Sequence, residues 1–254
     1  MRTFSIQNLH VEHNDSRIAM GEAAGRKGAE ILARLLQEKE EVRIMFGAAP
    51  SQNEMLDELV RHPLDWERVV AFHMDEYTGL SDGDSACFSS YLKQHIANRV
   101  PFKEFHFLQS DALDVQAECI RYAFLLRSCP IDLCFLGVGE NGHLAFNDPH
   151  IAFFNDSETV KLVQLDQKCR LQQVHDGCFP DLDAVPTHAM TVTIPALMRS
   201  RHMVCTVPGP AKAQAIKSML EGEIAEVCPA SILRTHRSAY LFIDTDAASL
   251  LKVW

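Results

Sequence analysis

Basic residues are scarce in this chain of 254 residues: 24 Lys and Arg stand against 34 Asp and Glu, for a formal net charge of −10. A broad nucleic-acid surface needs clustered Lys and Arg to neutralise phosphates, so this charge balance argues against one. A local site for a small anion remains compatible with it, because bulk charge does not fix the charge of one cleft. We therefore expect a small-molecule substrate and no nucleic-acid partner.

The chain also lacks long apolar runs and paired cysteine motifs. No apolar segment approaches ~18 residues, so no membrane-spanning helix is expected. The first residues, MRTFSIQNLHVEHND, have neither the basic segment nor the apolar core of a signal peptide. None of the eight cysteines forms a C-x-x-C pair, and several lie in apolar runs, as Cys134 and Cys205 do. We expect buried, reduced thiols in a cytoplasmic protein.

Recognisable metal motifs are also missing. His10 and His13 have a spacing that could bind a metal, but no nearby cysteine or carboxylate set completes such a site. The other histidines are scattered along the chain, so we predict no structural zinc.

Apolar runs alternate with helical patterns throughout, without a repeat, a low-complexity run or a linker. Ser51 with Glu54 three residues later has the capping-box pattern, and Asp111 is the expected N-cap of a long helix. Continuous apolar strands between amphipathic helices indicate an α/β fold, a three-layer α/β/α sandwich with a mainly parallel sheet, in one domain over 1–254. The pattern predicts helices at 16–39, 51–62, 85–100, 111–128 and 210–221, and strands at 41–47, 68–76, 104–109, 131–139, 159–166, 188–194, 202–207 and 238–245.

The stretch LGVGENGHLAFNDP at 136–149 allows two interpretations. Gly137, Gly139 and Gly142 have the G-x-G-x-x-G spacing of a dinucleotide-binding turn. Such a turn must open into a helix, because the pyrophosphate binds at the helix N-terminus. Pro149 would end any helix here within about two turns. We therefore reject the dinucleotide interpretation and expect the polar residues of this stretch to perform chemistry.

Candidate acid–base residues follow two predicted strands, where ligands bind in open parallel sheets. Asp148 is close enough in the chain to hydrogen-bond His143 and fix its tautomer, and Asn141 adds a polar group. Asp75, beside Glu76 in AFHMDEYTGL, is the candidate base for a carbon-bound proton. A hydrogen-bonded loop histidine and a turn-capping aspartate are the alternatives.

Two connections from a strand to a helix could bind an anion. The backbone N–H groups of GAAPSQNEML at 47–56 would point at the anion, and Ser51 would add a hydroxyl. Lys212 begins a helix after the strand at 202–207, and Arg170 lies in LDQKCRLQQ. An ordinary turn and solvated side chains are the alternatives.

Together, these motifs resemble the glucosamine-6-phosphate deaminase (isomerase) family, whose superfamily includes 6-phosphogluconolactonases. The matching segments, in order, are MDEYTGL at 74–80, LGVGENGHLAFNDP, VPTHAMTVTI, VPGPAKAQAI and PASILRTH at 229–236. The lactonase branch usually has Asp-Glu-Arg and a Ser-Leu-Phe-Pro type ending, so Asp-Glu-Tyr and Ala-Phe-Asn-Asp-Pro favour the deaminase branch. The resemblance also implies a modified Rossmann-like fold.

What the resemblance implies is conversion of glucosamine 6-phosphate and water into fructose 6-phosphate and ammonia, without a metal or organic cofactor. His143 would open the sugar ring, and Asp75 would move the C2 proton to C1 through an enolamine. Asp148 would orient His143, with Asn141 as a second polar partner. A homo-oligomer is among the assembly states that the family allows. The phosphate would be bound by Ala48, Ala49, Ser51, Gln52, Arg170 and Lys212.

Three features depart from the family pattern. Position 141 is more often Asp, and Asn141 cannot supply the negative charge that supports a protonated histidine. Position 148 is usually Glu, and Asp148 is one methylene shorter. GAAPSQ replaces a Gly- and Thr-rich turn such as T-G-G-T-P, with less flexibility and one hydroxyl fewer. A related substrate, such as galactosamine 6-phosphate or 6-phosphogluconolactone, and a sensor that binds without turnover therefore stay open.

Overall fold

A computed structural model describes residues 1–252. Within this range the strands are β1 (Arg2–Ile6), β2 (Leu9–Asn14), β3 (Val42–Phe46), β4 (Val69–His73), β5 (Asp75–Tyr77), β6 (Glu104–His106), β7 (Leu133–Leu136), β8 (Val160–Gln164), β9 (His188–Val192), β10 (His202–Val207) and β11 (Ala239–Asp244). The α-helices are α1 (Arg17–Glu38), α2 (Asn53–Leu59), α3 (Phe88–Leu92), α4 (Val115–Ser128), α5 (Gln167–His175), α6 (Ile194–Met198) and α7 (Ala213–Glu221). No helix among these residues is both long and apolar enough to cross a membrane.

The main sheet has eight strands in the order β1-β2-β11-β10-β7-β3-β4-β6. Only β1 runs antiparallel to its neighbour, and every other pairing in this sheet is parallel. The prediction of a mainly parallel sheet is therefore confirmed. Because the parallel strands share one direction, the loops at their carboxyl ends meet at one edge of the sheet.

Side chains of the central strands are apolar on both faces of this sheet. Leu133 and Phe135 of β7 pack on the face covered by α1 and α2, whereas Cys134 and Leu136 pack on the face covered by α4 and α7. All four side chains are fully buried. Burial of an aliphatic or aromatic side chain of this size contributes about 1.5–3 kcal/mol. The sheet is thus stabilised by two hydrophobic cores, and the predicted three-layer α/β/α arrangement is confirmed.

A second, antiparallel sheet differs from the prediction. Strands β5, β9 and β8 pair in that order, with Asp75 opposite Thr191. The predicted strand at 68–76 breaks at Met74, so its first part belongs to the main sheet and Asp75 begins the second sheet. The runs at 159–166 and 188–194 are strands as predicted, but they pair antiparallel, a choice that apolar patterning does not specify.

Two predicted helix caps are wrong. α2 begins at Asn53 after a 3₁₀ turn over Pro50–Gln52, and Glu54 forms an ion pair with Arg17 instead of a capping box. α4 begins at Val115, where the Asp114 carboxylate accepts a 2.9 Å hydrogen bond from the Ala117 amide; Asp111 lies outside the helix. The sequence pattern also missed the β1–β2 hairpin and α5.

His73, at the end of β4, is fully buried and uncharged. Its Nε2 accepts a 2.8 Å hydrogen bond from the Leu108 amide, and the Tyr122 hydroxyl donates to the His73 carbonyl. Burial, and then the positive charge of Lys93, lowers the pKa of His73 to about 3. A proton on this ring would remove the Nε2 acceptor and place a charge inside the core.

We predict that His73 makes the protein sensitive to acid. The unfolded chain takes up a proton near pH 6.5 and the folded chain only near pH 3. Folding stability should therefore fall as the pH drops, by about 2 kcal/mol from His73 alone between pH 6.5 and 5. Urea unfolding of the wild type and of His73→Gln at pH 7 and pH 5 measures this contribution of His73 to the free energy of unfolding.

The variant should lose markedly less stability than the wild type between these two pH values. His175→Gln, at an exposed position, is the matched control and should behave like the wild type. An equal loss in wild type and His73→Gln would contradict the prediction.

Candidate active site

A cleft opens at the carboxyl edge of the main sheet. Its wall is built from the segments that follow β3, β4, β7 and β10, together with side chains of α5. A wider groove lies between the β1–β2 hairpin and α1, but it contains none of the predicted site residues. The predicted site residues that line the cleft are Ala48, Ala49, Ser51, Gln52, Asp75, His143 and Lys212.

The adjacent carboxylates Asp75 and Glu76 have different environments. Glu76 is fully buried and accepts hydrogen bonds from the backbone amides of Tyr77, Phe88 and Ser89 at 2.8–3.0 Å. It therefore holds the start of α3 against β5. Asp75 faces the cleft, and its buried Oδ1 has no hydrogen-bond partner among residues 1–252. Of the two, only Asp75 is available to a ligand.

The surroundings of Asp75 disfavour the charged form of its carboxyl group. Burial, and then the neighbouring Glu76 carboxylate, raises the pKa of Asp75 well above its ordinary value. A raised pKa makes a carboxylate a stronger base, which suits it to accept a proton from a weak acid.

His143 lies 3.1 Å, Nδ1 to Oδ1, from the fully buried Asp148 carboxylate. The ring is not aligned for a linear hydrogen bond, and its Nδ1 has no directed partner within the described residues. Burial disfavours the charged form of Asp148, but the adjacent His143 ring and hydrogen bonds from Asn141 and the Asp166 backbone outweigh burial and lower the pKa of Asp148. Asp148 is therefore an anion beside the imidazole.

Three further groups surround the Asp148 carboxylate. Asn141 Nδ2 donates to Asp148 Oδ1 at 2.9 Å and to Asp166 Oδ2 at 3.2 Å, and its Oδ1 accepts from the His143 amide. The Asp166 amide donates to Asp148 Oδ2 at 3.2 Å, and the Cys169 sulfur lies within 4.8 Å of an Asp148 carboxylate oxygen. We call Asn141, His143, Asp148, Asp166 and Cys169 the Asp148 cluster. In it, Asn141 acts as a donor between two carboxylates.

The glycines of 137–142 serve this loop rather than a dinucleotide. A Cβ atom on Gly139 would lie 2.2–2.4 Å from three atoms of the His143 ring, so only glycine leaves room for the ring. Gly142 has a φ of +87°, a conformation that favours glycine. No helix begins between β7 and β8. The rejection of a dinucleotide turn is therefore confirmed.

The turn after β3 is held by two side chains that bind its carbonyls. The Tyr91 hydroxyl donates to the Ala49 carbonyl at 2.8 Å, and Arg17 donates to the Pro50 carbonyl. Within residues 1–252, the amides of Ala48, Ala49 and Ser51 donate to no backbone or side-chain acceptor. With the carbonyls engaged elsewhere, these N–H groups are available to an anion.

The two predicted cations lie in different places. Lys212 lines the cleft with its side chain largely buried, and that burial lowers the pKa of its amine. Arg170 does not line the cleft; its guanidinium donates to the carbonyls of Leu182 at 2.6 Å and Val185 at 2.8 Å. The expected role of Arg170 at a bound phosphate is therefore not supported, because its donors hold the loop after α5.

Residues of the cleft that sequence reasoning missed come from distant segments. Arg17, at the start of α1, places a positive charge beside the turn at 47–52, and it is paired with Glu54 at 2.8 Å. Gln172, Gln173 and Asp176 reach the cleft from α5. The local sequence around them has no motif, and α5 has a weakly amphipathic sequence, so no signal in the chain identified them.

Three of the buried polar atoms that lack a partner lie in this one cleft. They are Gln52 Oε1, Asp75 Oδ1 and His143 Nδ1. Buried polar atoms are normally hydrogen-bonded, so their convergence indicates a place for a polar ligand. The fold and the cleft define a mainly parallel α/β protein that presents a carboxylate and an imidazole beside a turn with unpaired amides.

Comparison with known proteins agrees with this description. Residues 15–242 match the family described as glucosamine-6-phosphate isomerases/6-phosphogluconolactonase, so the chain belongs to that family. A glucosamine-6-phosphate deaminase of Bacillus cereus (strain B4264) is 30% identical over 229 residues, covering 90% of this chain and 86% of the relative. A solved monomeric glucosamine-6-phosphate deaminase is 28% identical with a TM-score of 0.86, covering 94% and 99% of the two chains.

A 6-phosphogluconolactonase from Thermotoga maritima superposes with a TM-score of 0.75 at 19% identity, covering 93% of this chain and 100% of the other. At this identity the similarity concerns the fold alone.

We predict that Asn141→Asp destabilises the protein at neutral pH. The substitution replaces the donor between Asp148 and Asp166 with a third carboxylate. Like charges and burial would raise the folded-state pKa of this group, so the stability loss, about 1–3 kcal/mol at pH 7, should shrink as the pH falls and a carboxyl becomes protonated. Urea unfolding at pH 7 and pH 5 measures it. A variant as stable as the wild type at pH 7 would show that Asn141 is not needed as a donor.

Proposed function

We propose that this protein is an amino-sugar phosphate deaminase/isomerase, acting on glucosamine 6-phosphate and water to give fructose 6-phosphate and ammonia. The observation that carries the proposal is the shared cleft: Asp75 and His143, each with an unpartnered buried atom, face the same space as the 47–52 turn. Membership of the family and the curated deaminase relatives support the same reaction.

In this proposal His143 opens the pyranose ring. The imidazole accepts the proton of the C1 hydroxyl and delivers a proton to the ring oxygen as the bond between C1 and that oxygen breaks, which gives the open-chain aldehyde. Asp148 stabilises the protonated ring, because an adjacent buried anion favours the imidazolium. Gly139 leaves the space in which the ring lies, so the loop sets its position.

Asp75 then transfers the proton between carbons. As a carboxylate it takes the proton from C2 of the open-chain amino sugar, which leaves an enolamine. Asp75 then returns the proton to C1, which gives an imine at C2. Water hydrolyses this imine to the ketose and releases ammonia. The raised pKa of Asp75 makes its carboxylate a stronger base, as this step requires. The sugar's own amine and carbonyl stabilise the intermediate, so the proposal needs no cofactor.

The phosphate would be bound at the other end of the cleft. The amides of Ala48, Ala49 and Ser51, the Ser51 hydroxyl and the side chain of Gln52 supply donors. Lys212 supplies charge, and a phosphate dianion would favour its ammonium form against the effect of burial. Arg17 adds a second positive charge at the same turn. In this proposal the turn after β3 binds the phosphate, and Asp75 and His143 carry out the proton transfers.

A substrate panel tests the reaction. Purified protein is offered glucosamine 6-phosphate, galactosamine 6-phosphate and 6-phosphogluconolactone, with ammonia, ketose phosphate and lactone loss measured in parallel. We expect equimolar ammonia and ketose phosphate from a hexosamine 6-phosphate and no lactone hydrolysis. Lactone hydrolysis alone, or saturable binding without any product, would replace the proposal with a lactonase or a sensor.

We predict that Asp75→Asn abolishes turnover while the fold remains intact. The amide keeps the shape of the side chain but cannot accept the C2 proton, so kcat should fall by roughly 10³-fold or more. In the wild type, activity should rise with pH through the raised pKa of Asp75, since only the carboxylate is a base.

Stability should change in the opposite direction. A raised folded-state pKa means that ionisation of Asp75 costs folding free energy as the pH rises, so Asp75→Asn should be as stable as the wild type or more stable at pH 7. Asp82→Asn, an exposed carboxylate, is the control for both measurements. Near-normal kcat in Asp75→Asn would remove Asp75 from the mechanism.

We predict that Lys212→Met weakens substrate binding more than it slows the reaction. The substitution removes a charge–phosphate interaction worth about 1.5–3 kcal/mol, so KM should rise roughly 10–100-fold with a smaller change in kcat. Inorganic phosphate should inhibit the variant less than the wild type. Lys217→Met changes a lysine of α7, the helix that follows Lys212, at a position that does not line the cleft, and should leave KM unchanged. A normal KM in Lys212→Met would place the phosphate elsewhere.

A further inference from the structure

Cys169 is a buried thiol that the proposed reaction does not use. It lies on α5 with 1% of its surface exposed, and it belongs to no disulfide. Its sulfur, the Asp148 carboxylate and the His143 ring form a compact group in which one ligand atom from each lies within 4.8 Å of the others. These three side chains therefore converge on one small region.

This trio has the chemistry of a metal site. A thiolate, an imidazole and a carboxylate are the ligand types that bind Zn²⁺, and three protein ligands with one open position are common for this ion. The 3.1 Å separation of His143 Nδ1 and Asp148 Oδ1 is close to the spacing of two ligands on a tetrahedral zinc, given metal–ligand bonds of about 2.0–2.1 Å. A sulfur ligand selects such an ion over Mg²⁺ or Ca²⁺, which prefer oxygen.

An independent observation points to a ligand at the same place. His143 Nδ1 is buried in a side chain that is 9% exposed, and it makes no hydrogen bond among residues 1–252, because Asp148 Oδ1, 3.1 Å away, is out of line with the ring N–H direction. A buried nitrogen of this kind is costly unless something binds it. Because His143 also lines the cleft, an ion can reach the trio from the substrate side.

A second group of possible ligands, Asp148, His150 and Asp166, is less suitable. Both carboxylates of that group accept hydrogen bonds from Asn141, whereas in the trio only Asp148 does. His150 is exposed, and the group contains no sulfur. The trio with Cys169 is therefore the better site for a thiophilic ion.

We propose that His143, Asp148 and Cys169 form a binding site for a thiophilic divalent cation such as Zn²⁺, and that its occupation inhibits the enzyme. Binding replaces the S–H bond of Cys169 with an S–Zn bond and releases the proton to solvent. The ion takes His143 Nδ1 and an oxygen of Asp148, so Asp148 no longer supports a proton on the ring. The proposal that this site binds a metal ion does not depend on the proposed function, whereas the proposal that the ion inhibits the enzyme rests on it.

The binding test uses Co²⁺ as a spectroscopic probe on the intact protein, without substrate. The wild type should develop an intense near-ultraviolet cobalt–thiolate charge-transfer band, saturating at one ion per chain and abolished by Zn²⁺. Cys169→Ser should lose the band, and Cys169→Ala serves as a second variant. Cys178→Ser changes a nearby half-buried cysteine outside the trio and should keep it. A wild type without this band, or a band that persists in both Cys169 variants, would overturn the site.

The activity test compares each protein with itself, with and without Zn²⁺. Wild type and Cys178→Ser should lose activity as Zn²⁺ is added and regain it with a chelator. The Cys169 variants should need at least roughly tenfold more Zn²⁺ than the wild type for the same fractional loss of activity. Equal sensitivity of wild type and Cys169 variants would overturn inhibition through this site. If no substrate of the panel is turned over, the cobalt band alone decides metal binding, so the two proposals fail separately.

Discussion

The arrangement of the candidate site depends on one buried anion, the Asp148 carboxylate. A carboxylate with no exposed surface is strongly destabilising unless other groups replace its water. Here the replacement comes from two sequence segments: Asn141 and His143 on the 137–149 loop, and the amide of Asp166 at the start of α5. One charge therefore fixes the loop, the imidazole and the helix relative to one another.

The main sheet supplies the second constraint. Because its central strands are apolar on both faces, they must be covered by helices, and polar groups are left to the loops at the strand ends. Parallel direction brings the turn after β3, the segment after β4 and the loop after β7 to the same edge. Residues that are about 70 positions apart in the chain, such as Asp75 and His143, thus line one cleft without any local motif connecting them.

Sequence reasoning reached the layers of the fold and most of the cleft, because both follow from local signals. Apolar periodicity located the central strands, and the rule that ligands bind at strand ends then selected Asp75, His143 and Lys212. Sequence reasoning failed where the outcome depends on the direction of a side chain or on contacts between distant segments. Arg170 carries the expected charge but turns it towards the carbonyls of Leu182 and Val185, whereas Arg17, which does line the cleft, begins a helix far away in the chain. In the sequence, Asn141 indicated the loss of a negative charge, and only the structure shows that its amide donates to two carboxylates.

The cleft combines rigid support with groups that are unfavourable in isolation. Asp75 has a buried, unpartnered oxygen and a raised pKa, Gln52 and His143 have unpartnered atoms, and Ala145 adopts a φ of +50° that L-residues rarely take. Each of these features costs folding stability, so the surrounding contacts must be strong enough to hold them. Glu76, with three backbone donors, performs this task directly beside Asp75. The adjacent acidic residues thus differ in their contacts: the Glu76 carboxylate is satisfied and fixes the backbone, and because it does so the Asp75 carboxylate can remain unsatisfied and open to the cleft.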